Sequence, residues 1–150
     1  MTASYDTQTV GYPRIGKNRE LKRALEAFWK RETDADTLLA TFQQVEEDGW
    51  RTQRDAGMDH IGVGDATLYD HVLDWSVRLG LIPARFAALQ GLDRYFAMAR
   101  GAEGIPALEM TKWFDTNYHY LVPEITADVL PTAHFAEFLA RVQRAQALLG

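Results

Sequence analysis

Apolar residues return at three- and four-residue steps in five separate stretches of this chain, and each return predicts a helix with one buried face. In "NRELKRALEAFWKRE" the face is Leu21, Ala24, Leu25, Phe28 and Trp29. Asn18 is placed to cap it, and Glu26 and Lys30 stand four apart as a supporting pair. A second helix is predicted over 34–56, with Leu38, Leu39, Phe42, Val45 and Trp50 inward and Gly57 as its stop. A third covers "ATLYDHVLDWSVRLG", with Asp65 as cap, Gly80 as stop, and Leu68, Val72, Trp75 (or Ser76) and Leu79 buried. "LIPARFAALQGLDRYFAMARG" holds a short helix ending at Gly101. "PTAHFAEFLARVQRAQALLG" is a strongly amphipathic one, with Phe135, Phe138, Leu139, Val142 and Leu149 on its inner face and Thr132 as cap.

Between the helices lie short apolar runs bounded by Gly and Pro, which read as strands: "TVGYPRIG", "HIGVGD" and the aromatic stretch "EMTKWFDTNYHY" at 109–120. The order strand, helices, strand, helices, strand, helix is α/β logic, with parallel strands crossed over by helices. Three such units leave sheet edges and apolar faces uncovered. A doubly wound sheet or an eight-unit barrel needs more, so the pattern reads as the first part of something larger. No repeat, low-complexity segment or linker interrupts it.

Composition narrows the class. With 150 residues, 47% hydrophobic and 25% charged, the chain is an ordinary globular one of single-domain size. It has no cysteine, which excludes disulfides and thiolate metal sites within it. It opens without a basic, apolar leader and holds no run of the roughly 20 apolar residues a membrane span needs, so a cytoplasmic protein is expected. A net charge of −5 argues against a nucleic-acid partner.

That charge is uneven. Arg14, Lys17, Arg19, Lys22 and Arg23 stand against the single acid Glu20, a local +4 in an acidic chain. The island leads straight into a predicted helix N-terminus, where free amides and the helix dipole favour anions. It is either a site for a carboxylate-rich or phosphorylated group, or a solvated helix face. The aromatic stretch is the second candidate. Read as one strand, it separates Lys112, Phe114, Thr116, Tyr118 and Tyr120 from Trp113, Asp115, Asn117 and His119. Flat rings beside donors and acceptors suit a heteroaromatic ligand; equally, they suit a strand half buried between helices. Other chemistry is poorly supported. The two serines, Ser4 and Ser76, lie in no nucleophile elbow; "GVGD" lacks a phosphate-loop tail; and His60, His71, His119 and His134 are scattered without ligand spacing, so no metal site is expected.

The stretches "GYPRIGKNRELKRALEAFW", "GVGDATLYDHVLD", "GLIPARF", "RYFAMARG" and "EMTKWFDTNYHYLVPEI", in this order, resemble the N-terminal part of cobalamin-independent methionine synthase, the 5-methyltetrahydropteroyltriglutamate–homocysteine methyltransferase. The resemblance covers roughly Val10 to Asp128. It implies a fold of two (β/α)₈ TIM-type barrels, of which this chain would supply the first three or so βα units: 1–128 as part of the folate-binding barrel and 129–150 as a divergent C-terminal helix. It implies transfer of a methyl group from the folate to homocysteine, in methionine biosynthesis. The family's folate-polyglutamate contacts fall on Arg19, Glu20, Leu21 and Lys22 in "RELK" and on Lys112 in "MTKWF". No catalytic residue and no bound cofactor is expected here. Zinc and the homocysteine pocket belong to the family's C-terminal barrel, the implied partner of this chain. The chain alone is then expected to be inactive. The alternative readings are a non-catalytic module that binds folate polyglutamate, or an inactive truncated remnant.

Overall fold

The computed structural model describes residues 5–127 and 129–150. Asp128, the expected boundary between 1–128 and 129–150, and the opening residues 1–4 lie outside them. Among the described residues the chain is α/β, with five α-helices and a two-stranded sheet, and it divides into two compact units. The first comprises residues up to 68 together with 137–150; the second is 69–136.

In the first unit, α1 (Glu20–Trp29) and α2 (Ala35–Asp55) form the expected pair. Leu21 and Leu38 are fully buried, and Leu25, Phe42, Val45 and Trp50 join them. Asp34 caps α2 by accepting from the Thr37 amide at 2.9 Å, and hydrogen bonding from the Thr37 side chain first, then from its amide, holds the carboxyl below the usual range. Leu39, expected inward, is exposed, and Glu46 and Gln53 are buried in its stead. Both follow from one spacing: Glu46 lies four residues after Phe42, on the apolar row itself. The two expected strands of this unit reduce to a single parallel bridge between Gln8 and His60. Asp59 secures it by accepting from the Thr7 amide at 2.8 Å and its hydroxyl at 2.7 Å.

The last helix, α5 (Ala136–Leu149), belongs to this unit from 137 onward. Its buried residues are Arg141 and Ala145, not the phenylalanine-and-leucine face expected, and Leu139 is exposed. It begins four residues after Thr132, whose hydroxyl instead meets the His134 ring at 2.8 Å.

The second unit holds α3 (His71–Arg78), a 3₁₀ turn at Ala84–Phe86, α4 (Gly91–Arg100) and the sheet. The cap of α3 is Asp70 rather than Asp65. One Asp70 oxygen accepts from the Val72 and Leu73 amides at 2.7 and 3.1 Å, and the other from the Leu121 amide at 3.1 Å, which ties the sheet to the helix start. Of the alternatives left open for the inward residue of α3, Ser76 is buried and Trp75 is exposed. The core is Leu73, Phe86, Met98 and Leu121. Tyr95 inside it accepts from the Tyr69 amide and donates to Asp74 at 2.7 Å. Burial first, and the Asp74 carboxylate second, push its phenol well above the ordinary range.

The aromatic stretch is not one strand but a hairpin. β1 (Met110–Lys112) pairs antiparallel with β2 (His119–Leu121), in the register Met110 to Leu121, Thr111 to Tyr120 and Lys112 to His119. No helix among the described residues is long and apolar enough to cross a membrane.

Candidate functional site

The basic island is a loop pinned at both ends. At its start the Tyr12 amide donates to Asp65 at 2.6 Å, and the Arg14 guanidinium donates to the Thr67 carbonyl at 2.5 Å. Asp65, read from the sequence as a helix cap, thus serves as the loop's anchor. The Tyr12 ring lies over Gly49 in α2, where a Cβ would come within 2.9 Å of it. At its end the chain turns through Gly16, at φ 82°, and Arg19, at φ 62°, before α1 begins. A Cβ at Gly16 would displace the Glu20 carboxylate from its place over the helix start, and the positive φ there favours glycine.

Glu20 folds back over the helix start. It accepts from the Asn18 amide at 2.9 Å and from the Asn18 side chain at 3.1 Å. Its carboxyl is held below the usual range, first by a hydrogen bond from its own amide and then by that from Asn18. The Leu21 amide donates to the Ile15 carbonyl at 3.2 Å. Amides expected to be free for an anion are therefore engaged from within the chain. What remains open to a ligand is full charge. Lys17 and Arg19 are exposed, and neither has an ion-pair partner among the described residues. Lys22 reaches Glu26 at 3.5 Å with both side chains about half exposed, a contact worth under about 0.5 kcal/mol that a ligand carboxylate can replace. Leu21 is buried, so its side chain packs and does not bind.

A cleft of about 650 Å³ opens between this loop and α2. Tyr12, Pro13 and Val45 supply apolar wall; Lys17, Glu20 and Asp48 supply charge. Two carboxylates against one ammonium suit a neutral or cationic moiety better than an anion. Arg19 and Lys22 do not line it. The positive patch and the cleft are thus neighbours with different chemistry, which the linear charge count merged.

In the second unit Lys112 ends β1, exposed and opposite His119. The turn beyond it is closed by the Trp113 amide donating to the Tyr118 carbonyl at 2.7 Å and the Thr116 hydroxyl donating to the Trp113 carbonyl at 2.5 Å. Because the chain reverses, the face assignments change. Lys112 and His119 share one face, where a single strand would have separated them, and Tyr120 faces the other way with Thr111. Trp113 is the hub of the rings: Tyr120 and Phe114 each meet it edge-on at 5.3 Å and His71 at 5.6 Å. Of the sequence-derived site residues, the structure joins Arg19, Glu20, Leu21 and Lys22 at one helix start and places Lys112 in the other unit. Lys17, counted in the basic run but not among the expected folate contacts, is a further exposed cation before this helix start.

Comparison with known proteins adds a decisive observation. The family model described as the N-terminal domain of cobalamin-independent synthase matches residues 6–150. The chain belongs to the cobalamin-independent methionine synthase family. It is 65% identical over all 150 residues to a 5-methyltetrahydropteroyltriglutamate–homocysteine methyltransferase of Synechococcus sp. (strain JA-2-3B'a(2-13)), covering 20% of that protein. It is 61% identical over 147 residues, 98% of the chain, to the protein so named in Trichodesmium erythraeum, again covering 20%. With that of Streptomyces avermitilis the figure is 50% over 141 residues, 92% of this chain and 18% of the relative. The chain therefore spans about a fifth of the length of the relatives it matches. Among the described residues of this synthase segment, no group of three or more His, Asp or Glu side chains could hold a metal ion.

Proposed function

We propose that this chain is the N-terminal portion of a cytoplasmic methyltransferase that moves a methyl group from 5-methyltetrahydropteroyltriglutamate to homocysteine, and that its share of the work is to hold the folate's glutamate tail. In this reading the chain contributes the first βα units of a (β/α)₈ barrel. The parallel bridge between Gln8 and His60, with α1 and α2 in the connection, supports that topology. In this reading the methyl transfer itself, and the zinc that serves it, belong to the rest of the enzyme, of which this chain spans about a fifth.

The observation that carries the binding role is the charge left over at the start of α1. Lys17 and Arg19 are solvent-facing cations without an ion-pair partner among the described residues, and Lys22 is held only loosely. A tail of carboxylates supplies the missing partners. Arg19 adds a planar fork that meets a carboxylate with two parallel hydrogen bonds. Lys112, exposed at the end of β1, is proposed as a folate contact in its own right. Glu20 and Leu21 act by shaping the loop, Glu20 through Asn18 and Leu21 by anchoring α1 in the core.

The test uses the full-length enzyme that contains this chain. Arg19→Ala and Lys22→Ala raise KM for the triglutamyl folate by about fivefold each, with kcat unchanged, and the effect shrinks as salt rises. The loss is smaller for the monoglutamyl folate, which lacks the tail. An unchanged preference for triglutamate over monoglutamate in the double variant overturns the reading, as does methyl transfer by the 150-residue chain alone.

A further inference from the structure

The basic loop carries Lys17 and Arg19, yet it is fastened to its unit by one distant segment. The Asp65 carboxylate accepts from the Tyr12 amide at 2.6 Å, and the Thr67 carbonyl accepts from the Arg14 guanidinium at 2.5 Å. Each bond joins residues 53 apart in sequence. The same Asp65 oxygen would lie 3.6 Å from a Cβ at Gly11, so the carboxylate packs closely over the Gly11–Tyr12 peptide. Ala66 and Thr67 are buried, and the Ala66 carbonyl accepts from the buried guanidinium of Arg141 in α5 at 3.1 Å. Segment 65–67 is thus itself held by a helix while it holds the loop.

Beyond Arg14 the loop is shaped by short-range bonds. The Arg19 amide donates to the Gly16 carbonyl and the Leu21 amide to the Ile15 carbonyl, each at 3.2 Å. These bonds set the local turn but not where it sits on the unit. Leu21, fully buried, places the end of the loop. Asp65 places its start. With the start released, the exposed cations lose a fixed approach, and a ligand that binds them must order the loop as well, which weakens binding.

We infer that Asp65 is a positioning residue for the glutamate tail of the folate: through the Tyr12 amide it holds the loop so that Lys17 and Arg19 meet the tail's carboxylates. The inference rests on the reading of this loop as the tail site. Asp65 touches no ligand in this role. Its charge acts in the opposite direction, since an acid near cations weakens their pull on a carboxylate. The two effects therefore differ in sign. Loss of the charge alone tightens tail binding, and loss of the anchor loosens it.

The experiment is steady-state kinetics of the full-length enzyme that contains this chain, with triglutamyl and monoglutamyl folate. Asp65→Ala raises KM for the triglutamyl folate about threefold, leaves kcat unchanged and narrows the preference for triglutamate over monoglutamate. Asp65→Asn keeps an oxygen facing the Tyr12 amide and restores both KM and preference. A general loss of fold would lower the amount of active enzyme and leave the preference as it was. An unchanged preference in Asp65→Ala overturns the inference, as does a fall in KM in both variants or an equal rise in both. Arg19→Ala runs beside them. A preference narrowed by Arg19→Ala but not by Asp65→Ala leaves the tail site standing and removes Asp65 from it; a preference that neither narrows overturns both. Should Asp65→Ala fail to fold, Asp65→Glu decides, because it keeps the charge while its extra methylene displaces the 2.6 Å bond. A narrowed preference in that variant supports the positioning role, and a wild-type preference overturns it.

Discussion

In the first unit a glutamate and an arginine stand in the core, Glu46 and Arg141, each at most 5% exposed, while in the second a phenylalanine and a tyrosine stand in water at the hairpin turn, Phe114 at 82% and Tyr118 at 79%. Residue type and location are inverted in both places, for different physical reasons. In the first, two helices must meet on a face that carries a charge, and the partner helix answers with guanidiniums that also stack on Phe42 and Trp50. Burial there is tolerable only because the charges come as a set. In the second, a reversal of the chain spends no core on its tip, and the rings gather around Trp113. Phe114 even occupies the left-handed region, at φ 52°, where a side chain is strained. The lesson is that an apolar residue does not by itself mark a core, nor a charged one a surface. What decides is whether neighbouring elements supply a partner.

Three substitutions would break or sharpen that contrast. Glu46→Ala carries the largest effect. It leaves Arg141 buried with only Glu137 and the Ala66 carbonyl, and should cost about 3 kcal/mol in urea melts. A loss under about 1 kcal/mol would mean the cluster is not a set at all. Asp70→Ala comes next. It removes the cap of α3 and the link to β2, with an expected loss of about 1–2 kcal/mol. That loss should appear as faster hydrogen exchange at Leu121 as well as at Val72; a change confined to the helix would show that β2 is held by other means. Phe114→Gly is the smallest and opposite in sign. Relief of the left-handed strain should raise the unfolding free energy slightly, by less than about 1 kcal/mol in urea melts. A clear loss of stability would show that the exposed ring contributes more through Trp113 than its position indicates.

Much of the helical layout was legible along the chain. The periodic face Leu38, Phe42, Val45 and Trp50 is the buried face of α2, and Leu21 and Leu25 are that of α1, because a helix repeats every 3.6 residues whatever it packs against. Glu46 was signalled, though not singled out, by its place on that apolar row four residues after Phe42. Its partner Arg141 was not, since nothing in α5 says which of two possible faces meets α2. The basic run showed where charge accumulates, but not that Glu20 already covers the helix start. Asp65 and Asp70 are equally good caps on paper. Only the fold sends one to the Tyr12 amide and the other to Val72 and Leu73.

By itself, then, the sequence determined the helices, the family and the concentration of cations between residues 14 and 23, since each depends on local spacing or on residue identity. The tertiary structure alone decided the hairpin at 110–121, with Lys112 opposite His119, and the ion cluster around Glu46. Both join residues far apart in space or reversed in direction. Period-two alternation cannot reveal a chain reversal, and the burial of a charge depends on which distant side chains arrive to meet it.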